Sequence, residues 1–153
     1  EDACDRTGLS PEQRLDVMTG LAENYHGPWD DIRARLDDPA SINYTWFETL
    51  VVEAPWHRGR VVLIGDAAHC CPPTVAQGGA QALEDAVVLA DILLGGDEID
   101  DSLLDSFTAR RLPRVRAVVE ASVQIGTWML DGDTEADVPG LMNRVAALVS
   151  VAP

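Results

Sequence analysis

The stretch from Gly59 to Leu94, GRVVLIGDAAHCCPPTVAQGGAQALEDAVVLADILL, restricts the fold of this chain more than any other. Val61-Val62-Leu63-Ile64 is a continuous apolar run, the pattern of a strand buried on both faces. Such a strand would deliver Gly65-Asp66 to the carboxyl edge of a sheet, where open α/β sheets place their ligands. Ala80 to Leu94 then follows a helical pattern. Leu83, Ala86, Val87, Ala90, Leu93 and Leu94 form its expected packing face, Glu84, Asp85 and Asp91 lie elsewhere, and Gly95-Gly96 ends it.

Between strand and helix the residue types point to a ligand. A carboxylate at Asp66 suits a polyol, whose hydroxyls donate charge-assisted hydrogen bonds to it. Pro72-Pro73 removes two backbone donors and holds the chain extended, which makes a rigid wall for a flat ring. Gln77-Gly78-Gly79-Ala80 opens the helix with small residues, and free amides at the positive end of a helix favour negative charge. Carboxylate, wall and anion-friendly helix start together describe a pocket for a ring that becomes anionic and carries a hydroxylated chain. Reduced flavin is such a molecule.

The remaining sequence supplies scaffolding. Ser10-Pro11-Glu12-Gln13 is a helix start of capping-box type, with Leu15, Met18, Leu21, Ala22 and Tyr25 on one expected buried face. Gly27-Pro28 stops that helix, and a short one with Trp29, Ile32 and Leu36 on one side and Arg33 exposed follows. Ile42 to Glu53 turns to β-branched and aromatic types and predicts a strand ending near Pro55. A helical stretch over about 102–129 is expected to kink or divide at Pro113, and 138–149 predicts a last short helix. No repeat or low-complexity linker interrupts the chain.

Composition narrows the class of partner. With 26 acidic against 11 basic residues the formal net charge is -15, which repels nucleic acid and anionic membrane surfaces. The acids are scattered, as at Asp30-Asp31, Asp37-Asp38 and 97–101, in the manner of a solvated surface. The 153 residues suffice for one ordinary domain with a core. An odd set of cysteines, Cys4, Cys70 and Cys71, fits a reducing compartment. No apolar run spans a bilayer and no signal peptide is visible, so a cytoplasmic protein is expected. A start at Glu1 rather than Met suggests a fragment or a processed chain.

The order GD, AAH, PP, a glycine-containing helix start and an EDA helix resembles the second FAD-binding motif of the flavoprotein monooxygenases related to 4-hydroxybenzoate hydroxylase. The flanking Trp56-His57, Arg58-Gly59-Arg60, Arg110-Arg111 and Pro113-Arg114 are similar to that family too. The resemblance implies an α/β fold, the C-terminal portion of an FAD/NAD(P)-binding Rossmann-like fold, mostly helical with a few strands. It implies that residues 1–55 end a substrate-binding domain and that 56–153 form the C-terminal part of the FAD-binding domain with following helices. In the cofactor site, Gly65 and Asp66 would hold the ribityl chain, Pro72 and Pro73 would lie beside the isoalloxazine, and the backbone around Gln77, Gly78, Gly79 and Ala80 would stabilise charge on the ring. One departure is Ala76-Gln77-Gly78 where many members have Gly-Gln-Gly; it leaves the loop less free to approach the ring, with Gly79 as a compensating small residue. The implied chemistry is reduction of FAD by NADPH or NADH, capture of oxygen and hydroxylation of an aromatic or similar electron-rich small molecule. The G-x-G-x-x-G turn of the first FAD half is absent, which fits a C-terminal fragment whose N-terminal part is missing. A related flavoenzyme, a halogenase or dehydrogenase, and a binding module that has lost its cofactor are the alternatives.

Other polar residues read as structural. His69 is expected to be a hydrogen-bonding residue rather than a base. His69, Cys70 and Cys71 are consecutive and cannot readily wrap one tetrahedral metal ion. Glu84 and Asp85 are expected as helix-surface or interdomain partners, and Arg110, Arg111, Arg114 and Arg116 as partners of acidic groups and helix ends. Trp46 and Phe47 would be core, or else line the substrate side.

Overall fold

The computed structural model describes residues 8–96 and 98–153; Cys4 and Asp97, both considered above, lie outside the described residues. The chain divides into two units, one up to Trp46 and the other from Phe47 to Pro153.

In the first unit, α1 (Pro11–Ala22) begins as its sequence dictates. The Ser10 amide donates to Gln13 Oε1 at 2.8 Å, and the Gln13 amide donates to Ser10 Oγ at 3.3 Å, which satisfies two amides at the helix start. A short helix, α2 (Pro28–Arg33), follows. Arg33, expected to be exposed, turns back to donate to the carbonyls of Ala22 (3.1 Å) and Tyr25 (2.9 Å). It thereby ties α2 to the carbonyls at and just beyond the end of α1. The expected apolar face of α1 is mostly outward: Ala22 is buried, whereas Met18, Leu21 and Tyr25 are exposed.

The described residues of the second unit form two small antiparallel pairs and three α-helices. Strand β1 (Leu50–Val51) pairs with β4 (His69–Cys70), and β2 (His57–Arg58) pairs with β3 (Val61–Val62). Two strand expectations are therefore corrected. The segment 42–49 carries no strand, because only Leu50 and Val51 find a ladder partner. The run Val61–Ile64 is a hairpin arm rather than a strand buried on both faces, since its sheet has two strands and Val61 and Ile64 are exposed. Asp66 consequently follows a hairpin, on the single 3-10 turn Gly65–Ala67.

Helix α3 (Gly78–Gly95) crosses the unit next to α4 (Asp101–Asp131), and α5 (Val138–Val149) packs on α4. Helix α4 runs undivided through Pro113. It starts with the Leu103 amide donating to Asp100 Oδ1 at 2.9 Å and ends at Gly132, whose φ of 64° suits glycine. Trp56 is fully buried in the core with Ala68, Val88, Phe107, Val115 and Val119. Its indole N–H donates to the Val52 carbonyl at 2.7 Å, so its one polar atom is satisfied. Val75, Val118, Ala121, Ile125 and Val145 form a second cluster between α4 and α5. Among the described residues no helix is long and apolar enough to cross a membrane.

The expected packing face of α3 is also corrected. Leu83, Val87 and Leu94 are exposed, as are Ala86 and Ala90, while Gln81, Asp85 and Val88 are buried. The polar side turns inward because arginines on α4 pair with it.

Candidate flavin site

The Gly65–Asp66 turn is built by a sharp reversal. Ile64 is extended (φ -139°, ψ 161°), and Gly65 has φ 56°, a left-handed conformation that a side chain disfavours. A Cβ on Gly65 would also sit 3.0 Å from the Ala82 Cβ, so the turn is seated directly on the first turns of α3. Asp66 is exposed at the outside of this turn, and its charge bears on the Cys71 thiol. Burial pushes that thiol up from its ordinary value, more than its hydrogen bond with Ser122 lowers it, which keeps it protonated at neutral pH.

The proline segment is held by α4. Pro72 is extended (φ -54°, ψ 149°) and precedes a 3-10 turn, Pro73–Val75. The Ser122 hydroxyl donates to the Pro72 carbonyl, and the Thr74 hydroxyl donates to the Ser122 carbonyl at 2.5 Å. Because Ser122 is fully buried, the wall rests on a fixed point of the long helix. One side of it borders a cleft of about 600 Å³ whose lining includes Phe47, Val123, Gly126, Met129 and Leu130. Phe47 and Trp46 are both exposed, so neither is core.

The start of α3 is open. The Gln81 amide donates to the Gln77 carbonyl at 2.9 Å, and the amides of Gly78, Gly79 and Ala80 precede that first helical bond. Among the described residues no side chain caps them, and a Cβ at Gly78 or Gly79 would meet nothing within 4 Å. Gly79 and Ala80 are exposed, and Gln77 and Gly78 are half-buried. Ala76 lies in the left-handed region at φ 52°, ψ 36°. Glycine, which the resemblance led us to expect at this position, would adopt this conformation freely, and alanine carries the strain.

Beneath this surface lies a buried polar cluster that sequence reasoning divided wrongly. Asp85, expected as a helix-surface or interdomain hydrogen-bond partner, is fully buried, and its hydrogen bonds stay within the second unit. Its Oδ2 accepts from the Gly65 amide at 2.9 Å and from His69 Nε2 at 2.7 Å, and its Oδ1 accepts from Arg111 Nε at 2.7 Å. Arg111 donates further to Glu84 Oε2 (2.7 Å), Gln81 Oε1 (2.8 Å) and the Gln81 carbonyl (3.3 Å). Arg114 grips both Glu84 oxygens at 2.8 and 2.9 Å and donates to the carbonyls of Leu148 and Val151 near the end of α5. Burial pushes the Asp85 carboxyl up, but the bonds from His69, Arg111 and the Gly65 amide outweigh it and hold it below the ordinary range. Burial likewise raises Glu84, and its arginine partners bring it below that range. His69 is thus a hydrogen-bonding residue as read from the sequence; Arg111, Arg114 and Arg116 pair with acids as expected, whereas Arg110 donates to the Pro153 carbonyl, which is neither an acid nor a helix end. The spacing of Gln81, Glu84 and Asp85 along one helix face, opposite Arg111 and Arg114 three apart, was the available signal.

A family model described as "FAD binding domain" matches residues 33–122. The aurachin C monooxygenase/isomerase of Stigmatella aurantiaca is 46% identical over 130 residues, 80% of this chain and 34% of that protein. The 2-heptyl-3-hydroxy-4(1H)-quinolone synthase of Pseudomonas aeruginosa is 42% identical over 126 residues, 82% of this chain and 31% of that protein. Among solved structures, Klebsiella pneumoniae HpxO complexed with FAD and uric acid aligns with a TM-score of 0.67 at 26% identity, over 96% of this chain and 41% of that one. The chain belongs to the FAD binding domain family of flavoprotein hydroxylases, and its fold is the mostly helical part of that domain. It spans between 16% and 34% of the length of these and other curated relatives.

Proposed function

We propose that the intact protein is an FAD-dependent monooxygenase that uses NADH or NADPH and O2 to hydroxylate a planar, electron-rich ring. This chain supplies the half of the flavin site that meets the ribityl chain and the ring. The observation that carries the reading is an exposed carboxylate, Asp66, on a turn seated against the first turns of α3, the helix whose start at Gly78–Ala80 is uncapped, within a family-matched segment. The residues fit the cofactor. Asp66 has room to accept hydrogen bonds from ribityl hydroxyls. The open amides of Gly78, Gly79 and Ala80, at the positive end of α3, favour negative charge on a ring. Pro72 and Pro73 offer a flat apolar wall that excludes water. FAD, when bound, supplies the electron and oxygen chemistry, while the protein binds, orients and keeps the site dry.

Residues 1–55 are assigned to the end of a substrate-binding domain and 56–153 to the FAD domain. Relatives named for a quinolone and complexed with uric acid favour a nitrogen-containing aromatic substrate. The free Cys70 and Cys71 agree with a cytoplasmic setting.

The test is flavin retention by the intact protein. Asp66→Ala is expected to raise the Kd for FAD by roughly 10- to 100-fold, the worth of a hydrogen bond to a charged group. Wild-type flavin content in that variant removes Asp66 from the site. NAD(P)H-dependent uptake of O2 with hydroxylated product tests the reaction itself.

A further inference from the structure

Asp66 is placed by its backbone. Among the described residues its carboxylate makes no hydrogen bond to another protein group, so its position depends on the turn that carries it. That turn has one buried donor, the Gly65 amide, and a buried amide must find an acceptor. The acceptor is Asp85 Oδ2, from the second turn of α3. The carboxylate is itself held on three sides, by the Gly65 amide, His69 Nε2 and Arg111 Nε. Arg111 also binds both the side chain and the carbonyl of Gln81, the residue that directly follows the open amides of Gly78–Ala80. One buried guanidinium therefore references the acid-bearing turn and the amide-rich helix start to each other.

We propose that Asp85 is a positioning residue for FAD: clamped by His69 and Arg111, it holds the Gly65 amide and so fixes Asp66 relative to the start of α3. This rests on the FAD reading above. The role differs from general stability because it acts through a single residue, Asp66. Removal of the clamp lets the Gly65–Ala67 turn move and separates the two ends of the half-site.

The decisive experiment is a double-mutant cycle on the folded apo form of the intact protein, with FAD binding followed by quenching of flavin fluorescence and folding checked by circular dichroism. Asp85→Asn keeps the shape, removes the charge and turns one acceptor into a donor; it is expected to weaken FAD on the order of tenfold. In an Asp66→Ala background the same change is expected to cost less than about threefold, since two residues acting through one contact are not additive. Effects that multiply in the double variant overturn the positioning role. His69 gives a second route that spares Asp85: His69→Leu removes a donor to Oδ2 and is expected to weaken FAD, whereas His69→Gln keeps a donor and is expected to recover most of the affinity. Wild-type affinity in His69→Leu overturns the proposal as well. Failure of the wild-type protein to bind FAD defeats the FAD reading itself, while binding that is weakened in Asp66→Ala together with a multiplicative cycle defeats only the clamp.

Discussion

Arg111→Met tests the central packing claim, that the polar side of α3 is buried because one guanidinium satisfies it. The arginine is fully buried and donates to Asp85, Glu84 and Gln81 through four hydrogen bonds of 2.7–3.3 Å. Methionine fills much of the arginine stem but donates nothing, so Asp85 keeps a buried charge with one oxygen unpaired on the α4 side. Breaking a buried pair by removing one partner costs about 3–5 kcal/mol. That is a large share of a typical folding stability of about 5–15 kcal/mol. Urea denaturation followed by circular dichroism, on the apo form of the intact protein, is the assay, and a melting temperature lower by roughly 3–6 °C is expected alongside, the unfolding entropy growing with chain length. Arg111→Lys should recover only part of the loss, because an ammonium cannot reproduce the planar fork that reaches residues 81, 84 and 85 together. Adding Asp85→Asn to Arg111→Met should cost less than the sum of the two changes, since the stranded charge is gone. A cost below about 1 kcal/mol for Arg111→Met, or strict additivity in the double variant, would refute the reasoning.

Two further outcomes follow from the same geometry. Glu84 and Asp85 both titrate lower in the folded chain than in the unfolded one, so the unfolded chain binds more protons in acid. Their contribution is complete above about pH 5 and is lost as pH falls through the folded values; urea midpoints between pH 7 and pH 3 should show this fall, and Asp85→Asn should make it shallower. Ala76→Gly relieves a left-handed alanine at φ 52°, worth about 1–2 kcal/mol, against about 0.5–1 kcal/mol of added chain entropy in the unfolded state. A small rise in melting temperature is expected, and a fall would show that the strain estimate at Ala76 is wrong.

Local chemistry made much of the scaffold legible from sequence. The capping box at Ser10–Gln13, the helix over 138–149 and the helix opened by Gly78 all depend on neighbours one to four residues apart. The motif from Gly65 to Ala80 was legible too, because glycine, proline and a lone carboxylate each restrict the backbone or its ligand in a stated way. The strand expected over 42–53 failed for the opposite reason: propensity favours an extended chain, but a strand exists only where a partner pairs with it, and Leu50–Val51 alone found one.

Sequence by itself determined the punctuation of this chain and the order of the parts that point to FAD. Tertiary structure alone decided which side of α3 is inside. Periodicity ranks Leu83, Val87 and Leu94 above Gln81, Glu84 and Asp85 for burial, yet the apolar set is outward and the polar set largely covered. The cause is Arg111 and Arg114, 26 or more residues away along the chain, whose charges make that burial tolerable. Hydrogen bonds that join the Gly65 amide, His69, Asp85 and Arg111 span separations no local pattern records, and only the folded chain brings them to one point.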